Sequence, residues 1–406
     1  MKLNENPFFI LGVSIRDSKQ VIDEKADDRC FDEPEREEIF EKAKGILLNP
    51  QQRLQAELGW FPDVQPQEEQ RLLAAATKQQ AVFMASVNKL AAMNQKLIGL
   101  LGKPRLANEI VFLDTAYREM DMAQLLAWVN KSRSVSGFPA VQGVEPIEAV
   151  WHEVRNNIRE QLQEAVDNMA ASQYTQTALE VAQAVLRKKG KYGGIIQDFM
   201  DGYRLSVEQQ LEDLKKHTMQ LVDQVLANPS RSNVQAACEA MDKGGRLARP
   251  LAVMSVAEGK NDFCYIGPVY NKLFDDVCMN LFKQKDEYGV VIILFEKLLS
   301  ITGDIPDAVK NLNETLQVVR ETKAEYDAAS AKAQQAANKP ARPANPRSRM
   351  SHSEDSSRDV PASSSSDDSG CGGCLLLLLL PAIGGAIAGP IGAAAGFILA
   401  IKLADT

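Results

Sequence analysis

Histidine is almost missing from this chain, which carries only His152, His217 and His352 among 406 residues. That scarcity leaves no His-x-x-x-His pair and no Cys–His cluster, the usual motifs for a metal site. Cysteine is sparse as well, with Cys30, Cys238, Cys264, Cys278, Cys371 and Cys374 scattered along the sequence. They are expected to be free thiols in a reducing compartment. Positive charge is in deficit: 46 Lys and Arg face 54 Asp and Glu, a formal net charge of −8. Nucleic acid is thereby excluded as the main partner, because phosphate binding needs a basic face. Short basic runs such as Arg187-Lys188-Lys189 read as solvated helix ends. No phosphate loop is present, since Gly190-Lys191 lacks both the preceding glycine and the following Ser or Thr. A nucleophile needs a base, and the base an orienting group. Neither histidine in the central region offers one. His152 lies beside Trp151 on an apolar helix face, where a structural role is expected, and His217 follows two lysines. The chain is therefore expected to be no enzyme and to use no cofactor or metal.

A signal peptide is also lacking at the start of the sequence. Met1 to Asn6 is polar, and the apolar run Phe8 to Val13 is too short for an h-region. The bulk of the protein is expected to be cytoplasmic. What is present in quantity is one long apolar run, Cys374 to Ile401, of 28 residues (401 − 374 + 1) with no charge. A spanning helix needs about 20 such residues, and two spans need about 40. One transmembrane segment is expected, followed by Lys402 to Thr406 in the layout of a tail anchor. Gly385-xxx-Gly389 and Gly392-xxx-Gly396 have the small-xxx-small spacing that lets membrane helices approach closely. Homo-oligomerisation through this segment is one reading, and plain filling of an apolar span is the other. Pro390 should kink the helix between the two motifs. Cys371-Gly-Gly-Cys374 at its edge can be two ordinary thiols, or can bind metal, exchange disulfides or carry lipid, although a zinc site would need two more ligands. Residues 328–373 are rich in Ser, Pro, Ala, Asp and Arg, the composition of a disordered linker.

Residues 7 to about 62 have a more specific pattern. A short apolar turn, Pro7-Phe8-Phe9-Ile10-Leu11-Gly12-Val13, opens it. Asp17 or Ser18 can cap a helix running to about Cys30. A loop with Phe31-Asp32-Glu33-Pro34 follows, then a helix from about Glu35 to Leu48. Asn49-Pro50-Gln51-Gln52-Arg53 opens another toward Trp60. The pairing of Phe8-Phe9-Ile10-Leu11-Gly12-Val13 with Asn49-Pro50-Gln51-Gln52-Arg53 resembles the J domain of DnaJ-type co-chaperones. The resemblance covers about 60 of the 406 residues. It implies a small helical fold in which Phe8, Leu11 and Gly12 are structural, and a loop that meets a DnaK-type chaperone. The His-Pro-Asp tripeptide by which J domains stimulate the ATPase is absent, and Asp32, Glu33 and Pro34 stand in that loop instead. The helix that is basic in a working J domain is acidic here. Asp23 to Glu41 holds ten acidic and three basic residues, a balance of −7. A J-like fold without ATPase stimulation is implied. The acidic helix is either a docking face for a basic partner or a solvated surface.

Residues 65–327 carry helical periodicity. Ile147, Val150, Val154, Ile158, Leu162, Val166 and Met169 recur at steps of three and four. Arg71 to Leu101 and Leu106 to Val129 are expected as two further helices. Breaks are expected at Ser134–Gly143, Gly190–Gly194, Asn228–Asn233, Gly244–Pro250 and Gly303–Pro306. Val290 to Phe295 suits a buried helix or a strand. The expectation is an all-α protein with a J-like domain at 1–64, an irregular helical bundle or helical-repeat domain at 65–327, a linker at 328–373 and a membrane helix at 374–401. Its expected role is a co-chaperone-like scaffold, anchored in membrane lipid and binding protein partners, a DnaK-type chaperone or its clients among them. The alternatives are a membrane effector whose glycine-rich segment oligomerises and perturbs the bilayer, and an enzyme whose site no motif reveals.

Overall fold

A computed structural model of the chain describes residues 2–77, 87–98, 100, 106–260, 263–282 and 287–337. The protein is all-helical, with no strand among the described residues. The helices are α1 (Pro7–Leu11), α2 (Lys19–Asp32), α3 (Glu37–Leu48), α4 (Pro50–Leu58), α5 (Pro66–Thr77), α6 (Lys89–Ile98), α7 (Ala107–Arg118) and α8 (Met122–Ser136). They continue as α9 (Glu145–Asp167), α10 (Ala171–Arg187), α11 (Gly194–Ala227), α12 (Arg231–Ala257), α13 (Ile266–Lys272), α14 (Tyr288–Ile301) and α15 (Pro306–Ala337). A π-helical stretch, Leu273–Phe282, follows α13 directly. The expected membrane segment, Cys374 to Ile401 with Gly385, Gly389, Gly392 and Gly396, lies outside the described residues, as does Cys371. Among the described residues no helix is long and apolar enough to cross a membrane.

The chain divides into two compact units. The first comprises Met1–Glu212 and Arg246–Cys264, and the second Asp213–Gly245 and Tyr265–Thr406. In the first unit α1, α2 and α3 close on one another around Phe8, Leu11, Ile22, Ala26, Phe40, Ala43 and Leu47. The same core continues through Trp60 and Phe61 to Leu72 on α5, Ala91 on α6 and Phe138 after α8. Residues beyond 64 thus complete the core that the first 64 residues begin. The apolar stripe of α9 is buried at Ile147, Trp151, Val154, Ile158, Leu162 and Val166. Trp151 stacks on Tyr117 with ring centroids 4.9 Å apart and planes 5° from parallel. His152 is one residue, hence about 100°, round the helix from Trp151. It is exposed, so the structural role expected of it is corrected.

In the second unit α14 is a helix with one buried face, which decides the Val290–Phe295 ambiguity against a strand and leaves Ile293 exposed. Val291, Leu294, Phe295 and Leu298 face its core. Leu312, Leu316 and Val319 of α15 are buried in the same unit. Phe274 meets Phe295 edge to face at 4.9 Å.

Three expected boundaries are corrected. Leu106 to Val129 is two helices, because Asp121 accepts from the backbone N–H of Ala123 (2.9 Å) and Gln124 (3.3 Å) and so starts α8 afresh. Gly244–Pro250 is not a break, since α12 runs through it with Pro250 inside. Its glycines serve packing instead. A Cβ on Gly244 would sit 2.1 Å from the Tyr265 ring, and one on Gly245 would sit 2.7 Å from Ile301. Helix α15 continues to Ala337, ten residues into the stretch assigned to the linker (337 − 328 + 1). Its alanine-rich end, Asp327-Ala-Ala-Ser-Ala-Lys-Ala-Gln-Gln-Ala-Ala337, has strong helix propensity.

Candidate interaction surface

The α2–α3 hairpin is built by ordinary local rules. Ser18 caps α2, its hydroxyl accepting from the Val21 N–H at 3.4 Å. Asn49 stops α3 and caps α4, accepting from Gln51 N–H (3.0 Å) and Gln52 N–H (3.3 Å). Pro34 opens a 3-10 turn, Pro34–Arg36, before α3. The helices run antiparallel, as shown by Asp27 opposite Lys44 (3.3 Å) and Cys30 opposite Glu41 (4.0 Å).

The site residues named from the sequence separate into two groups. Phe8 and Leu11 are buried in the module core. Gly12 caps α1 in the left-handed region, at φ +68°, which a residue with a Cβ adopts only at a cost. These three hold the fold. Asp32, Glu33 and Pro34 lie together at the hairpin tip, but not as equals. Glu33 is half-buried between two arginines, with Arg29 Nη1 2.7 Å from one carboxylate oxygen and Arg36 Nη1 2.6 Å from the other. The hydrogen bond from Arg36 holds its carboxyl below the usual range. Both guanidinium groups lie over the buried Phe40 ring, at 5.9 and 5.0 Å. Glu33 therefore fixes the loop. Asp32 and Pro34 are less enclosed, and Phe31 beside them is 87 % exposed.

The surface of the hairpin is acidic. Asp23, Glu24, Asp27, Asp28, Glu35, Glu37, Glu38 and Glu41 are all exposed. Lys44 neutralises part of the seam, lying 2.8 Å from Glu41, 3.3 Å from Asp27 and 3.9 Å from Asp23. Among the described residues no cation pairs with Asp32, Glu35, Glu37 or Glu38. The tip can offer one aromatic anchor and several carboxylates to a ligand. Among the described residues no group of three metal-ligating side chains converges.

Behind the hairpin is a buried polar lattice that sequence reasoning missed. Arg53, Glu57 and Arg133 are all shielded from solvent. Arg53 donates to Glu57 at 2.7 Å and to the Ile15 carbonyl at 2.8 Å. Its guanidinium lies over Phe8 (5.0 Å) and Phe138 (3.8 Å). Arg133 meets the other face of Glu57 at 2.8 Å and donates to the carbonyls of Pro50 (2.8 Å) and Pro139 (3.1 Å). A second buried carboxylate, Glu69, accepts from Trp60 Nε1 at 2.7 Å and from the Ser14 hydroxyl at 3.0 Å. Burial pushes its pKa up, against the pull of those hydrogen bonds and of Arg16. These bonds lock the module onto α5 and α8. Arg53 was signalled by the Asn-Pro-x-x-Arg pattern, whereas Glu57, Arg133 and Glu69 carried no sequence signal.

No protein-family model, no curated protein and no solved structure matches this chain.

Proposed function

We propose that this chain is a membrane-held interaction protein. Segment 374–401 enters a bilayer, the polar stretch before it acts as a tether, and the helical region presents a J-like module to protein partners. A DnaK-type chaperone or its clients are the partners that the resemblance suggests, without ATPase stimulation. The observation that carries the interaction reading is Phe31, 87 % exposed at the tip of an acidic hairpin. An aromatic ring left in water costs apolar transfer energy that burial against a partner returns. The charge around it selects a basic segment. The order of elements supports the J-like reading: a short α1, then α2 and α3 antiparallel about a loop, then α4.

The test is a pull-down of full-length protein, extracted in mild detergent, with partners identified by mass spectrometry. The variant to compare is Phe31→Ser with Asp32→Lys, which leaves the Arg29–Glu33–Arg36 clamp intact. Deleting residues 1–64 is a poorer comparison because it uncovers Leu72, Ala91 and Phe138. Loss of a partner set with the double variant supports the reading, and an unchanged set removes the hairpin tip from it. Recovery of self-associated chain alone, abolished when Gly385, Gly389, Gly392 and Gly396 become Leu, favours the membrane-effector alternative instead.

A further inference from the structure

Two loops of the first unit lie against each other. One follows α10 and contains Lys188, Lys189, Gly190, Lys191 and Tyr192, and the other follows α12 and contains Glu258, Gly259 and Lys260. Gly190, at φ +74°, is so close to the second loop that a Cβ would stand 2.3 Å from the Ala257 carbonyl oxygen. Tyr192 Oη donates to the Glu258 carboxylate, and Lys260 Nζ lies 2.8 Å from the other Glu258 oxygen. The first loop is thus pinned in place, and Glu258 is already engaged by Tyr192 and Lys260.

The cations of that loop are left over. Val181 through Gln197 contains four basic residues, Arg187, Lys188, Lys189 and Lys191, and no carboxylate. All four are exposed. Lys188 reaches only a neutral acceptor, Thr115 Oγ1 at 3.2 Å. Among the described residues no carboxylate pairs with Arg187, Lys189 or Lys191. The dipole of α10 accounts for Arg187 in its last turn, but Lys189 and Lys191 lie past the helix end. Lys189 also sits at φ +54°, a left-handed position where glycine is cheaper. A rigid turn that spends backbone strain to display unpaired lysines has the chemistry of an anion-docking surface.

We propose that this loop docks onto an anionic bilayer surface. The inference rests on the reading that segment 374–401 enters a membrane. Four cations in one turn are too compact to follow a nucleic-acid backbone, whereas a layer of headgroups can meet them at a single patch. Anchoring holds the headgroups at high effective concentration, so modest intrinsic affinity is enough. Each Lys or Arg at an anionic leaflet strengthens attachment on the order of fivefold, and salt screens the effect.

The experiment uses the full chain reconstituted with vesicles of phosphatidylcholine alone, or of equal parts phosphatidylcholine and phosphatidylserine. Flotation reports whether the chain is membrane-bound. Acylation by a water-soluble amine reagent, read by mass spectrometry, then reports access to Lys188, Lys189 and Lys191 relative to the exposed Lys25. The expected result is flotation with both vesicles, with severalfold protection of the three lysines only on the phosphatidylserine vesicles and loss of that protection in high salt. The variant Lys189→Gly with Lys191→Gln should lose the protection at Lys188 while melting no lower than the parent, because glycine suits the left-handed position. Equal acylation on both vesicle types, in a chain that floats with both, overturns the docking surface and leaves the anchor standing. Flotation only with phosphatidylserine overturns the anchor and supports the loop, and flotation with neither overturns both.

Discussion

Glu57 has no water to turn to, and neither do the two arginines that hold it. A triad of this kind stabilises little relative to an apolar replacement, but removing one member strands the others. Arg133→Met should lower stability by about 3–5 kcal/mol, seen as a fall in the urea midpoint. Replacing Arg53, Glu57 and Arg133 together with apolar residues should cost far less than the sum of the single changes. Glu69 gives a pH signature. Its folded-state pKa is raised by burial, so between the unfolded value and the folded value the folded state holds more protons. Stability from this group is present below that window and falls as pH rises through it. Glu69→Gln should therefore flatten the dependence of the urea midpoint on pH just above the ordinary carboxylate range, and an unchanged profile contradicts the account. At this scale the sequence was only partly legible. The apolar face of α9 and the left-handed role of Gly12 follow from spacing and residue type. Arg53 pairs through Glu57 with Arg133, 80 positions away (133 − 53), and no periodicity reports such a contact. Phe31 was placed in a loop by the sequence, and nothing in its spacing indicates that it lies in the last turn of α2 with its ring exposed.

Helix starts were readable where a short polar side chain precedes the apolar pattern, as at Ser18 and Asn49. The errors came where a residue has two physical uses. Glycine breaks helices by its freedom, yet it also permits close approach, and Gly244 and Gly245 in α12 are present for the second reason. A Cβ at Gly244 would meet the Tyr265 ring, whose hydroxyl is held by Thr218 at 2.7 Å and by the Ala240 carbonyl at 3.2 Å. The ring has little room to retreat. Gly244→Ala should destabilise the second unit by about 1–3 kcal/mol through overpacking, read as faster amide exchange in α12. Gly45, within α3, has nothing within 4 Å of its Cβ position. Gly45→Ala should stabilise by about 1 kcal/mol through helix propensity. Equal effects of the two substitutions would show that propensity, and not the close approach to Tyr265, governs α12.

The chain divides into two units, and the sequence indicated all-helical architecture for both through its step of three and four. It did not indicate where one unit ends, because α11 and α12 each give residues to both units and neither helix changes its periodicity at the division. The functional proposal joins an acidic, Phe31-tipped hairpin to a chain held at a bilayer by residues 374–401. Membrane attachment is the claim on which the rest depends. The most direct measurement expresses the full chain and a form lacking residues 374–401, washes the membranes in alkaline carbonate, and treats the intact washed membranes with protease. The account predicts that the full chain stays in the pellet, that the shortened form leaves it, and that protease digests residues 2–337 while sparing the apolar segment. If the full chain washes off as readily as the shortened form, the membrane-held reading is wrong.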